Sequence, residues 1–142
     1  MTSLSDGHAV ASALTDLVRD YDKSWSSLDL VALGDLWVRD APAPIYVGDE
    51  YAAPLIGVDD LERHWARVAG RLRSAAVSST LHEFDVVDDT VVRAIVLSRW
   101  RLAGIEGDAT RTGASWITWL LVWRSERLRI FHQMESQVHL AE

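Results

Sequence analysis

The chain has 142 residues, no cysteine, and 14 basic against 21 acidic side chains, a net charge of −7. One domain is the expectation for this length, with enough chain to bury a full core. The composition excludes disulfides, a thiol nucleophile and cysteine-ligated metal, and the acidic balance offers no general attraction to nucleic acid or an anionic membrane.

Residues 1–7 are small and polar and are expected to be flexible, leaving 8–142 as a single domain. The first eighteen residues carry no Lys or Arg, so the basic start of a signal peptide is missing. Apolar runs are only a few residues long, far below the ~20 needed to span a bilayer. A cytoplasmic location is expected. From His8, the residues Val10, Leu14, Leu17, Val18, Tyr21 and Trp25 form one stripe of an amphipathic helix, with Asp22 at its solvent edge. Asp29 caps a short second helix with the stripe Leu30, Leu33, Leu36 and Trp37. Pro42 and Pro44 forbid helix, and Ile45–Val47 reads as a strand closed by Gly48. Pro54–Gly57 is a brief extended piece. Asp59 or Asp60 caps a third helix with the stripe Leu61, Trp65, Val68 and Leu72, and His64 is a half-exposed neighbour of that stripe.

After Ala76 the period becomes strand-like. Four long strands are predicted at Val77–Val87, Val91–Leu102, Arg111–Arg124 and Leu128–His139, with Ser125-Glu126 as a tight turn. Helices first and an antiparallel meander after make an α+β domain, and strands this long imply a curved sheet. Along Ser115–Trp123 both alternating faces are apolar. The helices cover one; a second subunit is the simplest cover for the other, with an N-terminal or C-terminal segment folded over it as the alternative, and a homodimer through the sheet face is expected.

At this point the chain resembles the SnoaL-like branch of the NTF2-like superfamily. The carriers are Tyr21–Trp25, Leu28–Leu33 leading to Leu36–Asp40, the strand Ile45–Val47, and Pro54–Leu61, which is similar to the family's G-x-[DE]-x-[IL] entry. The last strand, Leu128–Ser136, is similar to a W-x-I-x-H-x-H-x-S ending, with Leu128 in place of Trp and Met134 in place of the second His. The resemblance implies a cone, a curved antiparallel sheet wrapped by three N-terminal helices, with a pocket at its open end. It covers proteins of many activities, so it says little about the reaction.

The candidate site residues follow from alternation. Gln133 and Glu135 share one face of the last strand, and Glu135 is a candidate base, with a solvated or salt-bridged rim position as its alternative. His132 falls on the other face with Ile130 and Met134; a slip of one residue would exchange the faces and make His132 the general base. Tyr46 offers a hydroxyl as a weak acid. Tyr21, Trp25, Trp65, Ile117, Trp119, Phe131 and Gln133 are the expected pocket residues, suited to a small apolar or aromatic ligand. Arg99 and Arg101 share a face opposite Trp100 and could hold a substrate anion, or else carry surface charge. No His and carboxylate spacing argues for a metal, and no dinucleotide or phosphate motif for a cofactor. Two functions stay open: a cofactor-free lyase, isomerase or cyclase working by acid–base chemistry, and a non-catalytic binding or assembly module.

Overall fold

A computed structural model describes residues 7–107 and 109–138. Helix α1 runs Gly7–Ser26 and buries Val10, Leu14, Leu17, Val18 and Tyr21 of the predicted stripe, while Trp25 at its end is only partly buried. Helix α2 is only Leu30–Gly34, capped by Asp29, whose side chain accepts a hydrogen bond from the Ala32 amide at 3.0 Å. The helical stripe predicted through Trp37 therefore stops early. Leu36 and Val38 instead exchange backbone hydrogen bonds with Ile130, so this segment joins the last strand as a parallel bridge.

Strands β1 (Ile45–Gly48) and β2 (Leu55–Ile56) precede helix α3 (Val58–Gly70). The residue before α3 is Gly57, at φ +94°, with no side-chain cap. Asp59 and Asp60 lie within the first turn, where they complement the helix dipole instead of capping it. The third stripe is also predicted too long: Leu72 starts strand β3 (Leu72–Val86). Strands β4 (Val91–Gly104), β5 (Thr110–Arg124) and β6 (Arg127–Gln137) complete the meander, and the predicted end at His139 lies outside the described residues. Ser125 and Glu126 both have positive φ, the conformation a two-residue hairpin turn between twisted strands requires.

The six strands form one curved sheet in the order β2-β1-β6-β5-β4-β3. It is antiparallel except where β1 runs parallel to β6. Two register shifts interrupt β3 against β4, and one interrupts β5 against β6, where Leu120 faces His132 and Leu121 faces Ile130. Phe131 is the extra residue of that bulge. It returns Gln133 to the inner face beside Ile130, and it overturns the expected grouping of His132 with Ile130. The helices pack on the inner face, around Trp119 and Leu121 of β5, Val92, Ala94 and Val96 of β4, and Ile130 of β6. Among the described residues no helix is long and apolar enough to cross a membrane.

Candidate functional site

The inner face does not close at both ends. Toward its lower end Ile117, Trp119 and Leu121 are buried under α1, and the Tyr21 ring meets Trp119 edge-on at 5.2 Å. Toward the other end the inward residues of β5 are Ser115, Gly113 and Arg111, which are small or solvent-reaching. A cavity of about 630 Å³ opens there, of the size that holds a small organic molecule.

At the base of the cavity a chain of hydrogen bonds crosses from core to space. The Trp119 indole donates to Gln133 Oε1 at 2.9 Å. Gln133 Nε2 donates to Glu135 Oε1 at 3.0 Å. These contacts fix the amide orientation of Gln133, since the indole can only donate and an ionised carboxylate can only accept. Ser115 supports Glu135 from β5. Burial pushes the Glu135 carboxyl up to about 7. The Glu50 carboxylate reinforces the rise, and the hydrogen bonds from Gln133 and Ser115 oppose it.

On the neighbouring strand β1, where Tyr46 pairs with Gln133, the Tyr46 hydroxyl donates to Glu50 Oε1 at 2.6 Å. Burial first, and then the charge of Glu135, holds the Tyr46 phenol well above its ordinary value; Tyr21 is raised for the same two reasons. The Tyr46–Glu50 pair folds back over Gly48, where any Cβ would overlap the Glu50 carboxylate and the Tyr46 phenol. His64 stacks on the Tyr46 ring at 4.7 Å and shares a 2.7 Å hydrogen bond with the Tyr51 hydroxyl through Nδ1. Burial lowers the His64 pKa, partly offset by Glu50. The burial favours the neutral imidazole, and His64 is a second titratable group lining the cavity. Among the described residues no three His, Asp or Glu side chains converge as a metal-ligand set.

The predicted site residues separate into three groups. Tyr21, Trp25, Tyr46, Trp65, Gln133 and Glu135 line the cavity. Ile117 and Trp119 lie below it in the packed core, so Trp119 reaches the site only through Gln133. Phe131, His132, Arg99 and Arg101 do not line it. Phe131 is displaced by the bulge, and His132 faces outward with Met134, with its pKa lowered by partial burial. The two arginines are exposed because Ser98, Trp100 and Leu102 are the inward residues of β4. Glu135 is half-buried, accepts a hydrogen bond from Gln133, and is in no ion pair with a described residue.

Sequence reasoning missed Glu50, Tyr51, His64, Arg67, Arg71, Arg111 and Ser115 as cavity residues. His64 carried a usable signal. It lies at i+3 from Leu61 and four before Val68, so it belongs on the buried stripe, and it is 7% exposed. Asp22 also departs from its expected solvent edge: its carboxylate accepts from the Ser79 amide at 2.7 Å and hydroxyl at 2.6 Å, pinning α1 to β3.

No protein-family model and no curated protein matches the chain. Solved structures do. The hexachlorocyclohexane dehydrochlorinase LinA-type3 of Novosphingobium barchaimii is similar at TM-score 0.78 and 17% identity, over 96% of this chain and 91% of that one. A protein of the NTF2-like family from Streptomyces avermitilis gives 0.77 and 15%, over 95% and 98%. A ketosteroid isomerase-like protein from Erwinia carotovora gives 0.76 and 11%, over 91% and 96%. At these identities the likeness speaks for the fold. With the curved six-stranded sheet and its N-terminal helices, it shows that the chain has the NTF2-like, cystatin-like fold.

Proposed function

We propose that the protein is a cofactor-free acid–base enzyme for a small apolar or aromatic molecule, acting as a lyase, isomerase or cyclase with Glu135 as the base. The observation that carries this reading is a carboxyl group at the base of an aromatic-walled cavity with a pKa near 7. A base is most effective when its pKa lies near the working pH, because it is then both ionised and a good proton acceptor. Glu135 takes a proton from a carbon made acidic by an adjacent carbonyl. The proton is then returned at another carbon, or a leaving group departs from the neighbouring carbon. Tyr46 supplies the complementary group, a neutral phenol whose one hydroxyl proton turns from Glu50 Oε1 to the developing negative charge of the substrate. The similarity to a dehydrochlorinase and to an isomerase-like protein supports small-molecule chemistry in this fold and does not select the reaction.

The test is deuterium exchange, followed by NMR, into a panel of cyclic ketones with one or two rings. The wild-type protein accelerates exchange at the carbon next to the carbonyl, with a rate that rises with pH to a plateau above about 7. Glu135→Gln abolishes it. No exchange into any member, or exchange untouched by Glu135→Gln, contradicts the reading and favours the non-catalytic binding module.

A homodimer through the outer sheet face is part of the same proposal. Its support is the exposure there of Trp116 (40%) and Met134 (50%), with the His82 ring edge-on to Trp116 at 5.1 Å. Light scattering gives a dimer for the wild type and a monomer for Met134→Asp combined with Trp116→Glu. A monomeric wild type contradicts it.

A further inference from the structure

The cavity has two poles of opposite charge. Asp49, Glu50 and Glu135 lie by β1 and β6, whereas Arg71 and Arg111 lie by the β3–β4–β5 side. Arg111 faces Leu102 across the β5–β4 pair, and Leu72, next to Arg71, faces Gly104 two residues further along β4. The two guanidinium-bearing residues therefore flank one end of β4 and both line the mouth of the cavity. Neither forms an ion pair with a described residue, in contrast to Arg39, Arg63, Arg93 and Arg124, which pair with Glu62, Asp60, Asp85 and Asp40. The third cavity arginine, Arg67, sits over the Tyr51 ring, 4.8 Å from its centre. Glu106, on the adjoining loop, does not line the cavity.

Between the poles lies an aromatic plate. Trp100 is laid against Gly113, where a Cβ would overlap its six-membered ring, and its indole reaches toward Ser115 Oγ at 3.4 Å. Read along the inner face of β5, the order is Arg111, then the Trp100 plate over Gly113, then Ser115, which supports Glu135. Arg111 and Ser115 are four residues apart, ~13 Å along a strand.

We propose that Arg71 and Arg111 form an anion subsite, and that the substrate is a small organic anion with an aromatic or apolar body. Its carboxylate or sulfonate sits at the mouth and its neutral, reacting end lies at Glu135. The reverse orientation is excluded by charge, because the anion would then face Asp49, Glu50 and Glu135. The inference rests on reading the cavity as a small-molecule site, but not on proton transfer by Glu135.

The test is calorimetric titration of the full chain with 2-naphthoate, methyl 2-naphthoate and 2-naphthylmethylammonium. Naphthoate binds roughly tenfold tighter than the ester, as one charge-assisted contact implies, and its affinity falls as salt is raised from about 20 to about 200 mM. Arg71→Gln combined with Arg111→Gln removes that preference, bringing naphthoate affinity down to that of the ester, while the corresponding double Lys variant keeps part of it. Circular dichroism confirms folding, which substitutions at these exposed positions should not disturb. Equal binding of ester and naphthoate, preference for the ammonium, absence of naphthoate binding, or an unchanged preference in the double Gln variant each overturns the subsite. Loss of exchange activity in Glu135→Gln is read separately, so failure of the anion subsite and failure of the acid–base reading are distinguishable.

Discussion

The inner face of β5 is two surfaces in one strand. Leu121, Trp119 and Ile117 are fully packed beneath α1, while Ser115, Gly113 and Arg111, continuing in the same alternation, leave space above them. The backbone pairing with β4 is continuous through both halves, so the cavity comes from side-chain size and not from a break in the sheet. Gln133 and Glu135 sit at the boundary. On one side is the packed core, from which Trp119 donates to Gln133; on the other is the cavity. A carboxyl at that boundary is desolvated enough to be shifted, yet reachable by a substrate.

The sharpest way to break this comparison is to act on each half separately. Glu135→Gln keeps the size and an acceptor oxygen but removes the base; proton exchange should fall ~10²–10⁴-fold, checked by the deuterium assay. Trp119→Ala attacks the packed half. It deletes a fully buried indole and leaves Gln133 without its donor, so urea unfolding should show a loss of about 3–5 kcal/mol.

The two halves also differ in how pH acts on them. The folded-state pKa of Glu135, about 7, lies above its usual 4.5. Below 4.5 the group is protonated in both states. As pH rises from there to about 7 the unfolded chain loses its proton first, so stability falls, by ~3 kcal/mol in full. Glu135→Gln does not titrate. It should therefore match wild type in thermal melts near pH 4 and exceed it by several degrees near pH 8. Equal melting temperatures at both pH values would mean the carboxyl is not held against ionisation.

Smaller effects test the β1 wall beside Glu135 and the outer face. Gly48→Ala inserts a methyl group where the Tyr46–Glu50 pair closes over the backbone, and should cost about 1–3 kcal/mol in thermal unfolding. His132→Ala, on the outward side of β6, should leave the exchange rate within about twofold.

The fold was legible because helical and strand periods are strong over long segments, as in α1 and β4 to β6. Element ends were less so. Leu36, Trp37 and Leu72 continue an apolar stripe in sequence, but sheet pairing takes these segments from the helices. In the site, alternation placed Gln133 and Glu135 together on one face. It could not show the bulge at Phe131, since one extra residue leaves no compositional mark. Arg99 and Arg101 show the same limit: their alternation with Trp100 was readable, but which of the two faces looks into the cavity depends on the helices packed against it. Glu50, Tyr51 and Arg71 come from loops and element ends, where no period exists to read.

The most direct measurement is the titration of Glu135 itself, by carbon-13 NMR of the side-chain carboxyl in the intact protein, assigned with Glu135→Gln. A midpoint near 7 is the predicted result. A midpoint near 4.5, the value of a solvated glutamate, would contradict a desolvated base at the boundary of core and cavity.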